Sequence, residues 1–413
     1  GEVDLNLFTG SLRVKDFELE IEGQQRMRFG QLELQLSPWR LLGGTVHVSS
    51  ARLSDAFLRV DRRPDGSYDL GLPPFGDGAP ESAETEPLDF SLAGAEIAGF
   101  DVEYLDGEFK ALAQLQSLVV GAYSLRAESQ EIPLKWHLTL DGREVSGEAA
   151  LTLDRGQLAA AGELKTDRLD LARIQRLATL SPLAEGEVAY QGRFSWQAPQ
   201  LTLDGALQAP AVTSRVGDRL VKVGGANFPD FELRLFTAPQ LAVELTPREG
   251  SLVDRVDWET AQQSASAEKL QIAGRFRYED NELVNLEGLQ FRAGSFEWQA
   301  GKQRSKLSEF TLAGTLQQGI AGELRLPSAD LDLSSGPVEF EDTQERLTVA
   351  LEGLTLEGLK LRPAEPGTVG SRLLQGELRV AASRVGQGDS VLRWSELAVD
   401  LGGSIGLSAA SVA

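Results

Sequence analysis

The 413-residue sequence predicts an almost all-β protein, built as a long meander of short antiparallel amphipathic strands with one or two short helices. Three observations predict this fold class. Apolar and polar residues alternate along much of the chain, turn-forming residues recur between the alternating runs, and segments with helical periodicity are scarce.

Alternation with a period of two is the strongest of these signals. Leu32, Leu34 and Leu36 alternate with Glu33 and Gln35. The same pattern recurs in residues 136–140, 231–235, 241–245, 310–312 and 322–326. Because successive side chains of a strand point to opposite faces, each segment has one apolar and one polar face. This pattern is typical of antiparallel sheets, since parallel strands are buried on both faces and read as continuous apolar runs.

Turn-forming residues separate the alternating runs. The pairs Asp141-Gly142 and Asp204-Gly205 supply the positive φ that tight hairpin turns require. Residues 154–156 and 279–281 are predicted as slightly longer turns. Turn signals recur every ~10–12 residues, which predicts about 25 strands.

Two segments have helical character. Residues 170–181 are predicted as a helix with Asp170 as N-cap and Pro182 after its end. Its apolar face would consist of Leu171, Ile174, Leu177 and Ala178. A single-turn helix is predicted over residues 37–43, because Ser37 can cap it and Pro38 suits the first helical position.

The chain is predicted to have three parts. Residues 1–72 form an N-terminal β unit, residues 73–87 an acidic, proline-rich linker or loop, and residues 88–413 an extended β body that can be continuous with the first unit. The chain begins at Gly1 without an initiator methionine or an anchor segment. We therefore expect it to be a piece of a longer protein.

Composition excludes several functions. The chain has no cysteine, which excludes disulfides, thiolate metal sites and cysteine nucleophiles and fits an exported bacterial protein. Its net charge of −22 argues against nucleic-acid binding and against a broad basic surface for anionic lipids. No run approaches the ~18 consecutive apolar residues that a membrane helix needs.

No catalytic or metal centre is expected. His47 and His137 are the only histidines, and both occupy polar positions of alternating strands. Residues 402–406 match a nucleophile elbow around Ser404, but no histidine follows to act as its base. The 62 carboxylates are spread along polar strand faces, with no pair that suits glycoside hydrolysis. We therefore expect neither an enzyme nor a bound cofactor.

The apolar face of so many strands must be covered. About 25 strands at ~4.8 Å spacing would extend roughly 120 Å. The sheet can split into packed layers, close into barrels, or curl around a groove that holds an apolar molecule. Aromatic residues make up only 7% of the chain, which favours a groove lined by small aliphatic residues over a densely filled core. Periodicity alone leaves the packed core and the groove both open.

The first 200 residues carry a series of recognisable segments. Two strands at 10–21 and 29–34 precede a short Leu-Leu-Gly turn at 41–43, a strand at 56–60 and the turn at 63–70. This order resembles the opening of AsmA-like proteins. Residues 95–106 look like the next unit of that family, and residues 169–174 resemble the short helix after it. Beyond residue 200 or so only the general β pattern continues.

The resemblance implies a fold, a location and a function. AsmA-like proteins have an inner-membrane helix and a periplasmic body of strands curled into an elongated hydrophobic groove, and they are associated with phospholipid transfer and with outer-membrane assembly. On this basis we expect a periplasmic phospholipid-transfer protein, anchored to the inner membrane by a helix outside this sequence. A structural or interaction protein with a packed all-β core and an envelope-protein partner is the alternative. Candidate groove-lining residues are Val14, Leu19, Ile21, Leu34, Val46, Val48, Leu138 and Leu140.

Overall fold

The computed structural model confirms the all-β fold. It describes residues 1–405 except 7, 22, 42–43, 64–65, 70–88, 126, 178–183, 217, 237–241, 280–281, 322–323, 364–370 and 389. The described part contains 25 strands and two short helices. Neither helix has the length and apolar character needed to cross a bilayer.

The elements follow one another along the chain with short connections. The strands up to the second helix are β1 (Glu2–Asn6), β2 (Ser11–Ile21), β3 (Gln24–Leu36), β4 (Thr45–Arg62), β5 (Tyr68–Asp69), β6 (Asp89–Leu92), β7 (Ala95–Asp106), β8 (Phe109–Val120), β9 (Tyr123–Ser124), β10 (Ser129–Leu140), β11 (Arg143–Asp154) and β12 (Gln157–Asp170). The later strands are β13 (Ala184–Gln197), β14 (Gln200–Val216), β15 (Arg219–Phe236), β16 (Ala242–Pro247), β17 (Leu252–Glu259), β18 (Gln263–Glu279), β19 (Glu282–Ala300), β20 (Gln303–Ala321), β21 (Leu324–Ser335), β22 (Val338–Asp342), β23 (Leu347–Pro363), β24 (Ser371–Gln387) and β25 (Ser390–Ile405). The helices are α1 (Pro38–Leu41) and α2 (Leu171–Leu177).

The chain divides into two compact units. The first comprises Gly1–Leu169 and Tyr190–Ala198, and the second comprises Asp170–Ala189 and Pro199–Ala413. Strand β13 contributes its first residues to the second unit and its last residues to the first.

In the first unit, neighbouring strands pair in the order β1, β2, β3, β4, β7, β8, β10, β11 and β12. These ladders are antiparallel except at β4, which pairs parallel with β6 and β7. A parallel pair requires a connection that returns along the sheet, and residues 63–88 provide it. The predicted linker, 73–87, lies within this connection and outside the described residues. The predicted first and third parts are therefore joined through the β4–β7 ladder.

The second unit is an antiparallel ladder. It runs from β14 through β15, β18, β19, β20, β23 and β24 to β25. Two positions in this order are each filled by two short strands. Strands β16 and β17 both lie between β15 and β18, and β21 and β22 both lie between β20 and β23.

Most predicted turns in the described part are confirmed. Asp141 and Gly142 have φ of 49° and 81°, and Arg155 and Gly156 have φ of 48° and 82°, as two-residue hairpin turns require. The predicted turn at Asp204-Gly205 is wrong. Both residues lie inside β14, where Asp204 pairs with Glu232 and the register shifts just after Gly205. The glycine marks an irregularity in a long strand instead of its end. Of the predicted turn at 279–281, residues 280–281 lie outside the described part.

Both predicted helices are present. α1 begins at Pro38, and the amides of Arg40 and Leu41 donate to the carbonyl of Ser37. Asp170 caps α2, because its Oδ1 accepts hydrogen bonds from the amides of Ala172 at 2.9 Å and Arg173 at 3.2 Å. The described helix ends at Leu177, and the predicted remainder, including Ala178 and Pro182, lies outside the described residues.

Candidate functional site: the inner apolar face

The first unit carries one continuous apolar face, called here the inner face. Residues directly paired across neighbouring strands lie on the same side of a sheet. One such row crosses nine strands through Val3, Val14, Leu32, Leu53, Ile97, Leu118, Trp136, Gly147 and Leu164. Every member of this row except the glycine has an apolar side chain.

The second unit has a corresponding inner face. One of its rows crosses ten strand positions through Val212, Val223, Val256, Ala267, Phe296, Leu307, Val338, Leu351, Ser383 and Trp394. Nine of these ten residues are apolar or aromatic, so this face is apolar across the whole width of the unit.

The inner face of the first unit is bent along a line, called here the crease. On five strands the alternation is interrupted, so that two outward residues lie between two inward apolar residues. The inward pairs are Val14 and Phe17, Phe29 and Leu32, Leu53 and Ala56, Ile97 and Phe100, and Leu115 and Leu118. The first, third and fourth of these strands place a positive-φ residue at the interruption: Asp16, Asp55 and Gly99 have φ of 51°, 54° and 67°. Such interruptions bend a strand, and here they bend several strands along one line.

The same device recurs in the second unit, where it coincides with the best-packed residues. Gly225, Lys269 and Glu309 have φ of 61°, 53° and 51°. The side chains beside the crease are the most buried of this unit: Ala293 is 0% exposed and Leu270 2%. The whole buried cluster consists of Ala209, Ala226, Val253, Ala267, Leu270 and Ala293.

This cluster follows the crease across one sheet. Ala209 pairs with Ala226, Ala226 with Val253, and Val253 with Leu270. The partly buried residues packed against it come from strands β13 to β20, on both sides of the same crease. Small residues thus form the floor of a trough, and the two flanks of the bent sheet form its walls.

The walls of these troughs are only half covered. Val14, Leu34, Leu138 and most other inner residues of the first unit are half-buried, whereas a packed sandwich buries its inner side chains. The chain of 44.6 kDa has an accessible surface of 25940 Å². A compact monomer of this mass would expose roughly 16,000 Å², and two separate compact domains of half the mass roughly 19,000 Å². Apolar strand faces are therefore left accessible to water or to a ligand.

All eight candidate groove-lining residues lie on the inner face of the first unit. Val14 belongs to the nine-strand row, and Leu34 lies two residues beyond its neighbour Leu32. Leu138 and Leu140 follow Trp136 of the same row on β10, at even spacing. Val48 pairs with Leu36 and Leu92, and Val46 with Phe90. Leu19 pairs with Met27 and is followed by Ile21.

Strict alternation would have placed Val14 and Leu19 on opposite faces. The irregular residue Asp16 between them returns both to the inner face. Strand β10 confirms this, because it alternates without interruption. Trp136 connects it to the row of Val14, while Leu140 connects it through Ala113, Val102, Leu58 and Met27 to Leu19.

Sequence reasoning missed the aromatic part of the lining. Phe17 and Phe29 stack at 4.8 Å between ring centroids, and Trp136 meets Phe194 edge-on at 6.4 Å. In the second unit Phe291 and Phe296 both contact Phe310, at 6.0 and 6.2 Å. The signal that could have found these residues is the apolar-x-x-apolar spacing, which recurs on successive strands wherever the crease interrupts the alternation.

The opposite, outer face is charged. In the first unit a cross-strand row joins Arg13, Glu33, Arg52 and Glu96 with alternating sign. Arg13 Nε donates to Glu33 Oε1 at 2.7 Å, and Arg52 lies 3.4 Å from Glu96. The hydrogen bond from Arg13 lowers the pKa of Glu33. These exposed pairs keep the outer face solvated and contribute little stability each.

Polar groups reach the inner face of the first unit at one end of its strands. Arg62 and Asp106 end β4 and β7, and Arg62 Nη1 donates to Asp106 Oδ2 at 3.0 Å. This hydrogen bond raises the pKa of Arg62. Burial raises the pKa of the neighbouring Tyr104 hydroxyl, so that it stays neutral. This end therefore closes the apolar face with a neutralised ion pair.

Within the described residues, the side chains examined for chemistry do not converge. His47 Nδ1 lies 2.8 Å from Ser91 Oγ, and His137 pairs in register with Ser117 and Ser146 on other strands. No group of three or more metal-ligating side chains occurs among them. Ser404 lies in β25, consistent with a glycine-rich strand instead of an elbow before a helix.

Comparisons with protein-family models, with curated proteins and with solved structures found no match. The resemblance to AsmA-like proteins therefore remains a prediction from the sequence segments described above. The inner face, with its creased floor and half-covered walls, is the candidate functional site of this protein.

Proposed function

We propose that this protein binds phospholipids and transfers them, with their acyl chains held against the inner apolar face. The half-covered state of that face carries the proposal. Rows of apolar side chains nine and ten strands wide remain partly exposed, and exposed apolar areas beyond a few hundred Å² are rare without a function.

The chemistry of the lining suits acyl chains. Val, Leu, Ala and Phe side chains offer no hydrogen bonds, so binding gains roughly 0.8 kcal/mol for each methylene group removed from water. The rows run across many strands without an intervening charge, as shown for Val14, Leu32, Leu53 and Ile97. A chain could therefore slide along the face without a chemical step, and selection would act on its length and volume.

The location follows from the resemblance and belongs to the proposal. We place the protein in the periplasm of a bacterial envelope, attached to the inner membrane by a helix outside this sequence and active between the two membranes. The absence of cysteine and the acidic surface are compatible with that compartment.

The test is to purify the chain without detergent, extract it with organic solvent, and identify lipids by mass spectrometry. The proposal expects phospholipid at one or more molecules per chain. A folded, lipid-free protein that also fails to take up fluorescent phospholipid from vesicles would contradict it.

A structural role in outer-membrane assembly is the alternative, and the strand edges favour it. Within the described residues, β1 and β25 each pair with one neighbour, and Val3 and Leu392 on them are 70% and 64% exposed. Such edges can bind a partner by strand addition. Lipid-free protein that captures an extended peptide would favour this alternative.

A further inference from the structure

Large apolar side chains are exposed at one end of the first unit, called here the aromatic end. Phe8, in the β1–β2 connection, is 96% exposed, and Trp39 and Leu41 of α1 are 80% and 52% exposed. Leu125, after β9, is 53% exposed. All four lie in connections or a single-turn helix, outside the strands whose inner face forms the trough.

Backbone contacts hold these connections side by side. The amide of Leu36 donates to the carbonyl of Gly10, and a Cβ on Gly10 would lie 2.9 Å from Pro38 Cδ. The β1–β2 connection therefore abuts α1. The amide of Leu125 donates to Phe90, whose strand β6 pairs with the start of β4 just after α1.

The opposite end of the same unit has a different character. Its hairpin turns are Gly107-Glu108 and Asp141-Gly142, and its strand ends carry the pair Arg62 and Asp106. Tyr68 is the one large side chain among the exposed hydrophobics at that end in the described part. The two ends thus differ sharply in polarity, although the strands between them are the same.

We infer that the aromatic end inserts into the surface of a phospholipid bilayer. Tryptophan suits the interface because its ring is apolar and its N–H can remain hydrated, and separate apolar tips can each enter the headgroup region. The charge agrees. Among the described residues of the two connections that carry Phe8, Trp39 and Leu41, the single charged residue is Arg40, a cation suited to lipid phosphate in a chain of net charge −22.

Insertion by these side chains is driven by apolar burial and not by a basic surface. We therefore expect binding to zwitterionic vesicles that changes less than about threefold with added salt or anionic lipid. The inference extends the proposed function but does not require lipid in the trough, and the two are measured separately.

The absence of cysteine allows a site-specific test with the full chain. Thr9→Cys places an environment-sensitive NBD fluorophore beside Phe8, and Glu108→Cys places it at the opposite end. With phosphatidylcholine vesicles, emission of the Thr9→Cys protein should shift to the blue, and that of the Glu108→Cys protein should not. Equal emission changes at both ends, or none at Thr9→Cys, would overturn the inference.

Vesicle flotation of variants supplies the second measurement. Replacing Phe8, Trp39 and Leu41 together by serine should lower the partition coefficient at least about 100-fold, since each inserted side chain contributes about tenfold or more. The matched control replaces Val391, Leu392 and Leu397 on β25, which are 47%, 64% and 44% exposed, by serine. The control should bind within about threefold of the parent chain.

Lipid extraction of the same variants separates the two proposals. Loss of flotation with unchanged lipid content supports a membrane contact distinct from the trough. A blue shift without vesicles, accompanied by concentration-dependent dimers in sedimentation, would replace the bilayer by a second copy of the chain. Equal loss of flotation in the control triple variant would also refute the assignment of this end.

Discussion

Replacing Leu138 with aspartate tests whether the inner face is where lipid binds. Leu138 lies on β10 of the first unit, is half-buried, and pairs with Leu115 on one side and Val145 on the other. A carboxylate at this position stays hydrated and excludes an acyl chain from the surrounding wall. The neighbouring Thr139 lies on the outer face, where its hydroxyl donates to Gln114 Oε1 at 3.4 Å.

The size of the effect follows from the area that one leucine covers. If about three methylene groups of an acyl chain lose their contact, at ~0.8 kcal/mol each, affinity falls by roughly 2.4 kcal/mol, or about 60-fold. The same change removes part of one buried side chain, which costs about 1–2 kcal/mol of folding stability. We therefore expect a folded protein with a strongly reduced affinity.

Uptake of a fluorescent phospholipid by the two variants, alongside circular dichroism, measures both quantities. Leu138→Asp should lose uptake and keep its β spectrum, while Thr139→Asp should keep both. Normal uptake by Leu138→Asp would refute the assignment of the inner face. Equal loss in Thr139→Asp would show that any added charge on β10 disturbs binding, whichever face it occupies.

Three further predictions concern the crease and one capped turn. Gly225→Ala should destabilise the second unit by about 2 kcal/mol or more in chemical denaturation, because φ is 61° and the new Cβ would lie 1.9 Å from Asp254 Oδ2. Lys269→Gly should raise the melting temperature by about 1–4 °C, since φ of 53° strains a lysine by about 1–2 kcal/mol and glycine loses part of that gain to chain entropy; a lower melting temperature would contradict the strained crease. Hydrogen bonds from the Gln303 side chain and from the amides of Glu345 and Gln344 hold the pKa of Asp342 below its ordinary value of 3.8. Its contribution to stability should be present above about pH 4 and lost as pH falls through the folded-state pKa, so the difference between the parent and Asp342→Asn in urea should shrink between pH 6 and pH 3.

The strand content was predictable because alternation and turn chemistry are local. Asp141-Gly142 forms its turn with two positive φ values, and Asp170 caps its helix, both from interactions within a few residues. The failure at Asp204-Gly205 has the opposite cause. There the pairing of β14 with β15 continues past a local turn signal, so a long-range ladder overrides a short-range preference.

The candidate site was predictable in its members but not in their arrangement. Val14 and Leu19 stand five residues apart, and a strict period of two assigns them to opposite faces. Only the backbone at Asp16 reverses that assignment, because a positive φ inserts one extra outward residue into the strand. Similar interruptions at Asp55 and Lys269 are not encoded by an obvious turn residue, so local propensity does not reveal them.

The amino-acid sequence by itself determined that this chain forms amphipathic strands with one apolar face, because side-chain alternation is a property of each strand alone. The tertiary structure decided where those faces bend, through irregular residues aligned across many strands. It also decided that β4 and β7 run parallel, through a connection that no local pattern dictates. The half-covered inner face belongs to this second group, since the burial of each wall depends on how neighbouring strands bend together about Ala293 and Leu270.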